Sequence, residues 1–70
     1  MDTSENEVKL TVQEQKVLAL MAEGKLCTEI AEELGLTEQT VKWYRMRLRA
    51  KFKASTSGAV IRQAMKQGLL

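Results

Sequence analysis

The sequence predicts an all-α fold of four short helices, in which a helix-turn-helix belongs to a three-helix core and a further helix follows at the C-terminus. Apolar residues at helical spacing follow hydroxyl residues that can cap a helix, and glycines end several of these segments. Seventy residues make one domain that needs efficient helix packing or a partner. The single Cys27 excludes an internal disulfide, and the lack of His argues against a zinc site.

Residues 1–9 show no apolar period, and we interpret them as a mobile tail before a domain that spans residues 10–70. The first helix is expected to start after Thr11, which can form a capping box with Glu14, and to end before Gly24. Its predicted core face consists of Val17, Leu18, Met21 and Ala22.

The second helix is expected over about residues 28–34. Its start is poorly capped, because Leu26 stands where a hydroxyl would help, and Cys27 and Thr28 are the alternative caps. Its inward face consists of Ile30, Ala31 and Leu34.

A short link joins this helix to a third one, over about residues 38–53. Gly35 can adopt the positive φ of a sharp turn and Thr37 can cap the next helix, so the two helices form a helix-turn-helix. On a helical wheel, Arg45 falls close to the buried stripe of the third helix. That stripe consists of Val41, Leu48 and Phe52.

The opposite face of the third helix is uncharged and carries the only Trp of the chain. An uncharged strip that carries a large aromatic and has Lys and Arg on both sides suits the floor of a DNA major groove between its phosphate walls. The strip consists of Gln39, Trp43, Met46 and Ala50, with Lys42 and Lys53 on one flank and Arg47 and Lys51 on the other.

Charge is divided unevenly along the chain. All nine acidic residues lie within residues 1–38, which carry a net charge of −6, whereas residues 39–70 carry eight basic residues and no acid. A basic second half favours a nucleic-acid surface there.

A fourth helix is expected over about residues 57–67, with Thr56 or a neighbouring Ser as its cap and Gly68 just past its end. Leu69 and Leu70 are expected to fold back beyond that glycine. The apolar stripe of this helix can cover the core, join a partner or do both, and it consists of Val60, Ile61, Ala64 and Met65. Within it we predict a dimer interface of Val60, Ala64 and Met65.

Catalysis is not supported, because without His any general-base chemistry would fall to carboxylates, which we expect on exposed helix faces. No glycine-rich phosphate loop is present, and we expect no cofactor, metal or small-molecule ligand. The acidic N-terminus does not resemble a signal peptide, and no apolar run approaches the roughly 18 residues of a membrane span. We therefore expect a soluble cytoplasmic protein with no membrane partner.

Several motifs together resemble the LuxR/FixJ/NarL (GerE-type) DNA-binding domain of bacterial transcription regulators, over about residues 10–70. The motifs are Leu10-Thr11-x-x-Glu14, Glu29-Ile30-Ala31-x-x-Leu34, Thr37-x-x-Thr40-Val41-Lys42, Lys51-Phe52 and Gly68-Leu69. The resemblance implies a helix-turn-helix domain whose third helix reads the major groove of double-stranded DNA. It also implies a homodimer on DNA through the fourth helix, and it allows RNA polymerase as a further partner.

The resemblance assigns roles to the third helix and its cap. Residues expected at base edges are Lys42, Trp43 and Met46, to which we add Gln39. Residues expected near phosphates are Thr37, Thr40, Tyr44, Arg47 and Lys51, to which we add Arg49.

Four positions depart from the family pattern. Leu26 replaces the usual hydroxyl cap of the second helix, and Tyr44 stands where His is commonest. Ser57 replaces a usual Arg, and Met46 replaces a polar residue that reads bases in many members. These departures concern DNA affinity and specificity rather than the fold.

Two other functions are also consistent with a helix-turn-helix. A sigma-factor region-4-like module shares the Leu-Thr-x-x-Glu and Thr-Val patterns, although the extra C-terminal helix argues against it. A protein-interaction domain would use Trp43 and Met46 as its contact patch.

Most family members carry a receiver or sensor domain before this one. The chain is therefore either a free-standing regulator or a fragment, and Met1 slightly favours the first.

Overall fold

Four helices make up the fold. The structure is a computed structural model that describes residues 8–70. Its helices are α1 (Val12–Ala22), α2 (Cys27–Leu34), α3 (Glu38–Phe52) and α4 (Ser57–Lys66), and no strand occurs within residues 8–70. This confirms the predicted all-α fold.

The start of α1 has the predicted capping box. The Glu14 backbone N–H donates to Thr11 Oγ1 over 3.1 Å, and the Thr11 backbone N–H donates to Glu14 Oε1 over 2.9 Å. Both bonds satisfy N–H groups that a helix start leaves without partners.

The start of α2 differs from the prediction. The helix begins at Cys27 with Leu26 as its N-cap, so neither Cys27 nor Thr28 is the cap. Leu26 has no side-chain acceptor, and only the returning half of a capping box is made: the Leu26 backbone N–H donates to Glu29 Oε1 over 2.7 Å. A glutamate at the third helical position thus partly replaces the missing hydroxyl.

A tight turn separates α2 from α3. Gly35 adopts a φ of 70°, in the left-handed region that glycine enters without strain. The Leu36 N–H then donates to the Ala31 carbonyl over 2.8 Å, and Thr37 Oγ1 accepts from the Thr40 N–H over 3.1 Å. The turn and cap follow the sequence prediction, and they fix where α3 begins.

The core is built around α3, which contacts the other three helices. Val41 and Leu48 are fully buried, and Phe52 is nearly so, as the helical wheel predicts. On α1 the predicted core face is wrong at Ala22, which is exposed, and it omits Leu20, which is buried. The buried apolar residues are Val17, Leu18, Leu20, Met21, Ile30, Ala31, Val41, Leu48, Phe52, Val60 and Ala64.

The predicted dimer interface on α4 needs correction. Val60 and Ala64 have no exposed surface in the monomer, since they fill the core between α4 and the other helices. Neither side chain therefore presents surface to a second copy of the chain in this fold. Met65 is 64% exposed, so it alone of the three has surface for a partner.

Both ends of the described chain pack on the core. The Leu69 N–H donates to the Ala64 carbonyl over 2.8 Å and Leu69 is half-buried, which confirms the expected fold-back, whereas Leu70 is exposed. Residues 1–7 of the predicted mobile tail lie outside the described residues. Val8 was assigned to that tail, yet it is half-buried against the core, and its N–H donates to the Gln67 side chain over 3.3 Å.

A pair of substitutions in α3 tests the division between buried and exposed faces. We expect Leu48→Ala to lower the free energy of unfolding by about 3 kcal/mol, because it leaves a cavity at the centre of a small core. Met46→Ala, on the exposed face of the same helix, should change it by less than about 0.5 kcal/mol. Urea unfolding followed by circular dichroism measures both, and equal effects would contradict the assigned orientation of α3.

Candidate nucleic-acid interface

The uncharged strip predicted from the wheel lies on the exposed side of α3. Trp43 is 51% exposed and Met46 is 60% exposed, and Gln39 and Ala50 also face solvent. Trp43 and Met46 are thus adjacent large apolar side chains left exposed on one helix, which makes the strip a candidate binding surface.

Contacts along α3 hold the indole of Trp43 in place. The Tyr44 ring meets it edge-on, with ring centroids 5.0 Å apart and planes at 75°. The guanidinium carbon of Arg47 lies 5.2 Å from the centroid of the indole, within the range of a cation–π interaction. Trp43 is therefore restricted before any ligand arrives.

Arg47 is itself held by Glu14 of α1. Its Nε donates to Glu14 Oε2 over 2.6 Å, and Lys51 Nζ donates to Glu14 Oε1 over the same distance. The Glu14 side chain is only 1% exposed. This corrects the expectation that the carboxylates lie on exposed helix faces: one of them is buried and joins α1 to α3.

Glu14 is charged because its partners outweigh its burial. Burial alone raises the pKa of a carboxyl group, whereas the hydrogen bonds from Lys51, the Thr11 N–H and Arg47 stabilise the anion. The net result lowers the pKa of Glu14 from its ordinary value of 4.5 to about 2. Glu14 is therefore an anion at neutral pH.

Two of the residues expected near phosphates thus have structural partners. Lys51 also donates to the Lys9 carbonyl over 3.0 Å, and its side chain is only 27% exposed. The Arg47 side chain is 47% exposed, so part of its guanidinium still faces solvent. Glu14 partly neutralises both cations in the free domain.

The other residues predicted to contact DNA lie along α3 and at its N-cap. Lys42 makes only a loose ion pair with Glu38, at 3.9 Å with both side chains about half exposed, which contributes little. The hydroxyls of Thr37 and Thr40 are 2.8 Å apart at the start of α3. Arg49 and Tyr44 are half-buried, and Lys53 is exposed. The structure brings all the predicted base-contact and phosphate-contact residues onto α3 and its N-cap.

Arg45 has a role that the sequence did not assign. Its Nη1 donates to Cys27 Sγ over 2.9 Å and its Nη2 to Ser57 Oγ over 3.2 Å, so it joins the starts of α2 and α4 to the middle of α3. The wheel placed this cation beside the buried stripe, which was the available signal, but it could not name the partners. Ser57, a departure from the family pattern, accepts one of these bonds.

Within residues 8–70 there is no group of three or more potential metal ligands. No helix in that part of the chain has the length and hydropathy that crossing a bilayer requires. In the described residues, all buried side-chain nitrogen and oxygen atoms have hydrogen-bond partners.

A helix-turn-helix whose second helix exposes a tryptophan-containing strip between basic side chains is typical of one class of protein, the helix-turn-helix DNA-binding domains. The family model for bacterial regulatory proteins of the LuxR family matches residues 8–64. The chain therefore belongs to the LuxR family, whose domain is that of DNA-binding transcription regulators and not of enzymes. The family match favours this class over the sigma-factor alternative.

Known relatives agree with this assignment. The chain is 36% identical over 61 residues to the transcriptional regulatory protein MctR of Rhizobium johnstonii, covering 87% of this chain and 28% of that protein. It is 38% identical over 60 residues to nodulation protein W of Bradyrhizobium diazoefficiens, covering 86% of this chain and 26% of that protein.

A solved structure has the same fold. It is that of the Vibrio cholerae VqmA dimer in the absence of target DNA, described as a LuxR-type receptor, and it superposes with a TM-score of 0.86 at 35% identity. The match covers 94% of this chain and 30% of VqmA. The chain thus spans less than a third of the length of each of these three proteins.

The buried carboxylate predicts how stability depends on pH. Because the pKa of Glu14 is lower in the folded state than in the unfolded chain, its contribution is complete above about pH 4.5 and is lost as the pH falls towards 2. We expect a loss of about 3 kcal/mol across that window from this group. Urea unfolding at a series of pH values measures the loss.

Two variants separate Glu14 from the other carboxylates. Glu14→Gln should be less stable at neutral pH and should lose much of the dependence between pH 4.5 and 2. Glu33→Gln, at an exposed position of α2, should keep the wild-type dependence. If the free energy of unfolding falls with pH by the same amount in wild type and Glu14→Gln, the ion pairs of Glu14 contribute nothing to stability.

Proposed function

We propose that this domain binds double-stranded DNA in a sequence-specific manner, with α3 in the major groove, as the DNA-binding part of a bacterial transcription regulator. The observation that carries the proposal is the exposed strip of α3, on which Trp43 and Met46 face solvent between basic residues. An α-helix fits the major groove, where base edges can be read. The expected location is the bacterial cytoplasm.

The side chains divide by reach into two groups. Those on the strip or beside it are proposed to meet base edges: Gln39, Trp43 and Met46 on the strip, and Lys42 on its flank. Those at the edges of α3 are proposed to meet phosphates: Thr37, Thr40, Tyr44, Arg47, Arg49 and Lys51. The geometry of α3 supports this division, because the strip faces solvent while the residues proposed for phosphates lie on its flanks and at its N-cap.

Binding of phosphate by Arg47 and Lys51 would compete with Glu14. These two cations sit 2.6 Å from the carboxylate oxygens in the free domain. Their pairing lowers the positive charge that they offer to any duplex. On this proposal they chiefly orient the domain, whereas Arg49 and the exposed lysines supply more of the sequence-independent affinity.

We further propose that two copies bind an operator with inverted half-sites through α4. Met65 is exposed on that helix, and the solved relative VqmA is a dimer. Val60 and Ala64 are not part of this proposal, since both are buried in the monomer.

Selection of bound duplexes from a random pool tests the proposal directly. We expect an enriched half-site repeated with inverted symmetry, because two-fold protein symmetry is mirrored in the operator. About four neutralised phosphates per monomer predict a slope near −3.6 for log K against log salt. No enrichment and no gel shift at low salt would overturn DNA binding, and salt-independent binding of a protein at Trp43 would favour the interaction alternative.

A matched pair of charge-removing variants tests the phosphate role of Arg49. Arg49→Gln should weaken binding to selected and unrelated duplexes alike and reduce the salt slope by about 0.9, because it removes one phosphate contact. Lys16→Gln removes the same charge from the exposed side of α1 and should leave the slope unchanged. Fluorescence anisotropy titrations at several salt concentrations measure both variants. A salt slope for Arg49→Gln equal to that of Lys16→Gln would show that Arg49 does not contact phosphate.

A further inference from the structure

The exposed strip of α3 contains a shallow apolar notch. Trp43, Met46, Arg47 and Ala50 line it, and its volume is about 280 Å³. Because these positions are spaced three, four and seven residues apart, they lie side by side on one helix face. Three of the four side chains are uncharged, and the fourth, Arg47, has its guanidinium drawn towards Glu14.

The wall of the notch is fixed by contacts that reach into the core. Glu14 is buried and holds Arg47, Arg47 lies against one side of the indole, and Tyr44 lies against another. A side chain that is ordered before binding loses less entropy when a ligand arrives. The indole wall of the notch is therefore ordered before a ligand arrives.

The chemistry of the notch selects one feature of DNA. In the major groove, G, A and C present hydrogen-bonding groups, and only thymine presents an apolar group, its 5-methyl. The Met46 thioether and the Ala50 methyl make no bidentate hydrogen bond to a base edge, so they cannot read G or A in the way that Arg or Gln does. They can bury a methyl group.

The charges around the notch favour DNA as its occupant. Lys42 is exposed on the neighbouring flank of α3, Arg47 lines the notch itself, and Lys51 lies one helical turn beyond Arg47. An apolar protein segment would gain nothing from these cations, whereas a duplex places phosphates on both sides of a base edge.

We propose that the notch formed by Trp43, Met46 and Ala50 receives a thymine 5-methyl group, which makes it the thymine-reading subsite of α3. The inference rests on the proposed DNA binding and deepens it. Trp43 and Met46 contact the base, and in the free domain Arg47, held by Glu14, lies against the indole.

Replacement of thymine by uracil in the selected duplex tests the subsite, because uracil lacks only the methyl group. Each thymine of the half-site is replaced in turn, and the dissociation constant is measured at fixed salt. At one thymine per half-site, or two adjacent ones, we expect uracil to weaken binding about fourfold, the value for burial of one methyl group. Uracil at the remaining thymines should have no effect.

Protein variants show whether the notch senses that methyl group. Met46→Ala and Trp43→Ala should each bind the thymine duplex more weakly and should lose the difference between thymine and uracil. Lys42→Ala should weaken both duplexes by the same factor and keep the difference, since Lys42 does not line the notch. Circular dichroism confirms that each variant is folded, and Met46→Ala serves if Trp43→Ala does not fold.

The outcomes separate this inference from DNA binding itself. If the domain binds its selected duplex but tolerates uracil at every thymine, or if the half-site contains no thymine, the subsite is wrong and DNA binding stands. If Met46→Ala and Trp43→Ala keep the full preference for thymine, another residue reads the methyl group. If the pool yields no bound duplex at low salt, both proposals fail.

Discussion

One buried carboxylate connects the parts of this domain. Glu14 accepts from the Thr11 N–H, from Arg47 and from Lys51, and so it caps α1 and anchors α3 at the same time. An unpaired charge with 1% exposure would destabilise a fold of this size severely. Three donors satisfy the buried carboxylate, and two of them, Arg47 and Lys51, connect α3 to α1.

The same contact shapes the proposed interface. Through Arg47 the anion orients Trp43, and through Lys51 it reaches the backbone at Lys9. Cations that already have a counterion contribute less to sequence-independent attraction of DNA. On the proposed function, the pairing with Glu14 reduces the sequence-independent affinity that Arg47 and Lys51 supply. It also holds the indole of Trp43, one of the groups proposed to contact a base.

Local sequence signals predicted most of the fold. The hydroxyls of Thr11, Thr37 and Thr56 each cap the helix that follows them, and Gly35 takes the left-handed turn, because these effects act within a few residues. The faces of α3 were predictable for the same reason: Val41 and Leu48 recur at helical spacing. At the start of α2, where the local signal is weak, the sequence left the cap open and the structure shows Leu26 there.

By itself, then, the sequence determined the helices, the hydroxyl caps of α1 and α3, the basic second half and the outward strip of α3, since all of these follow from spacing along one chain. Only the tertiary structure decided which partners meet across helices. It paired Glu14 with residues 33 and 37 positions away and Arg45 with Cys27 and Ser57, and it placed Val60 and Ala64 in the core rather than at a partner. The reason is physical: a helical wheel separates inside from outside, but whether an apolar stripe meets its own chain or another depends on how the helices pack in space.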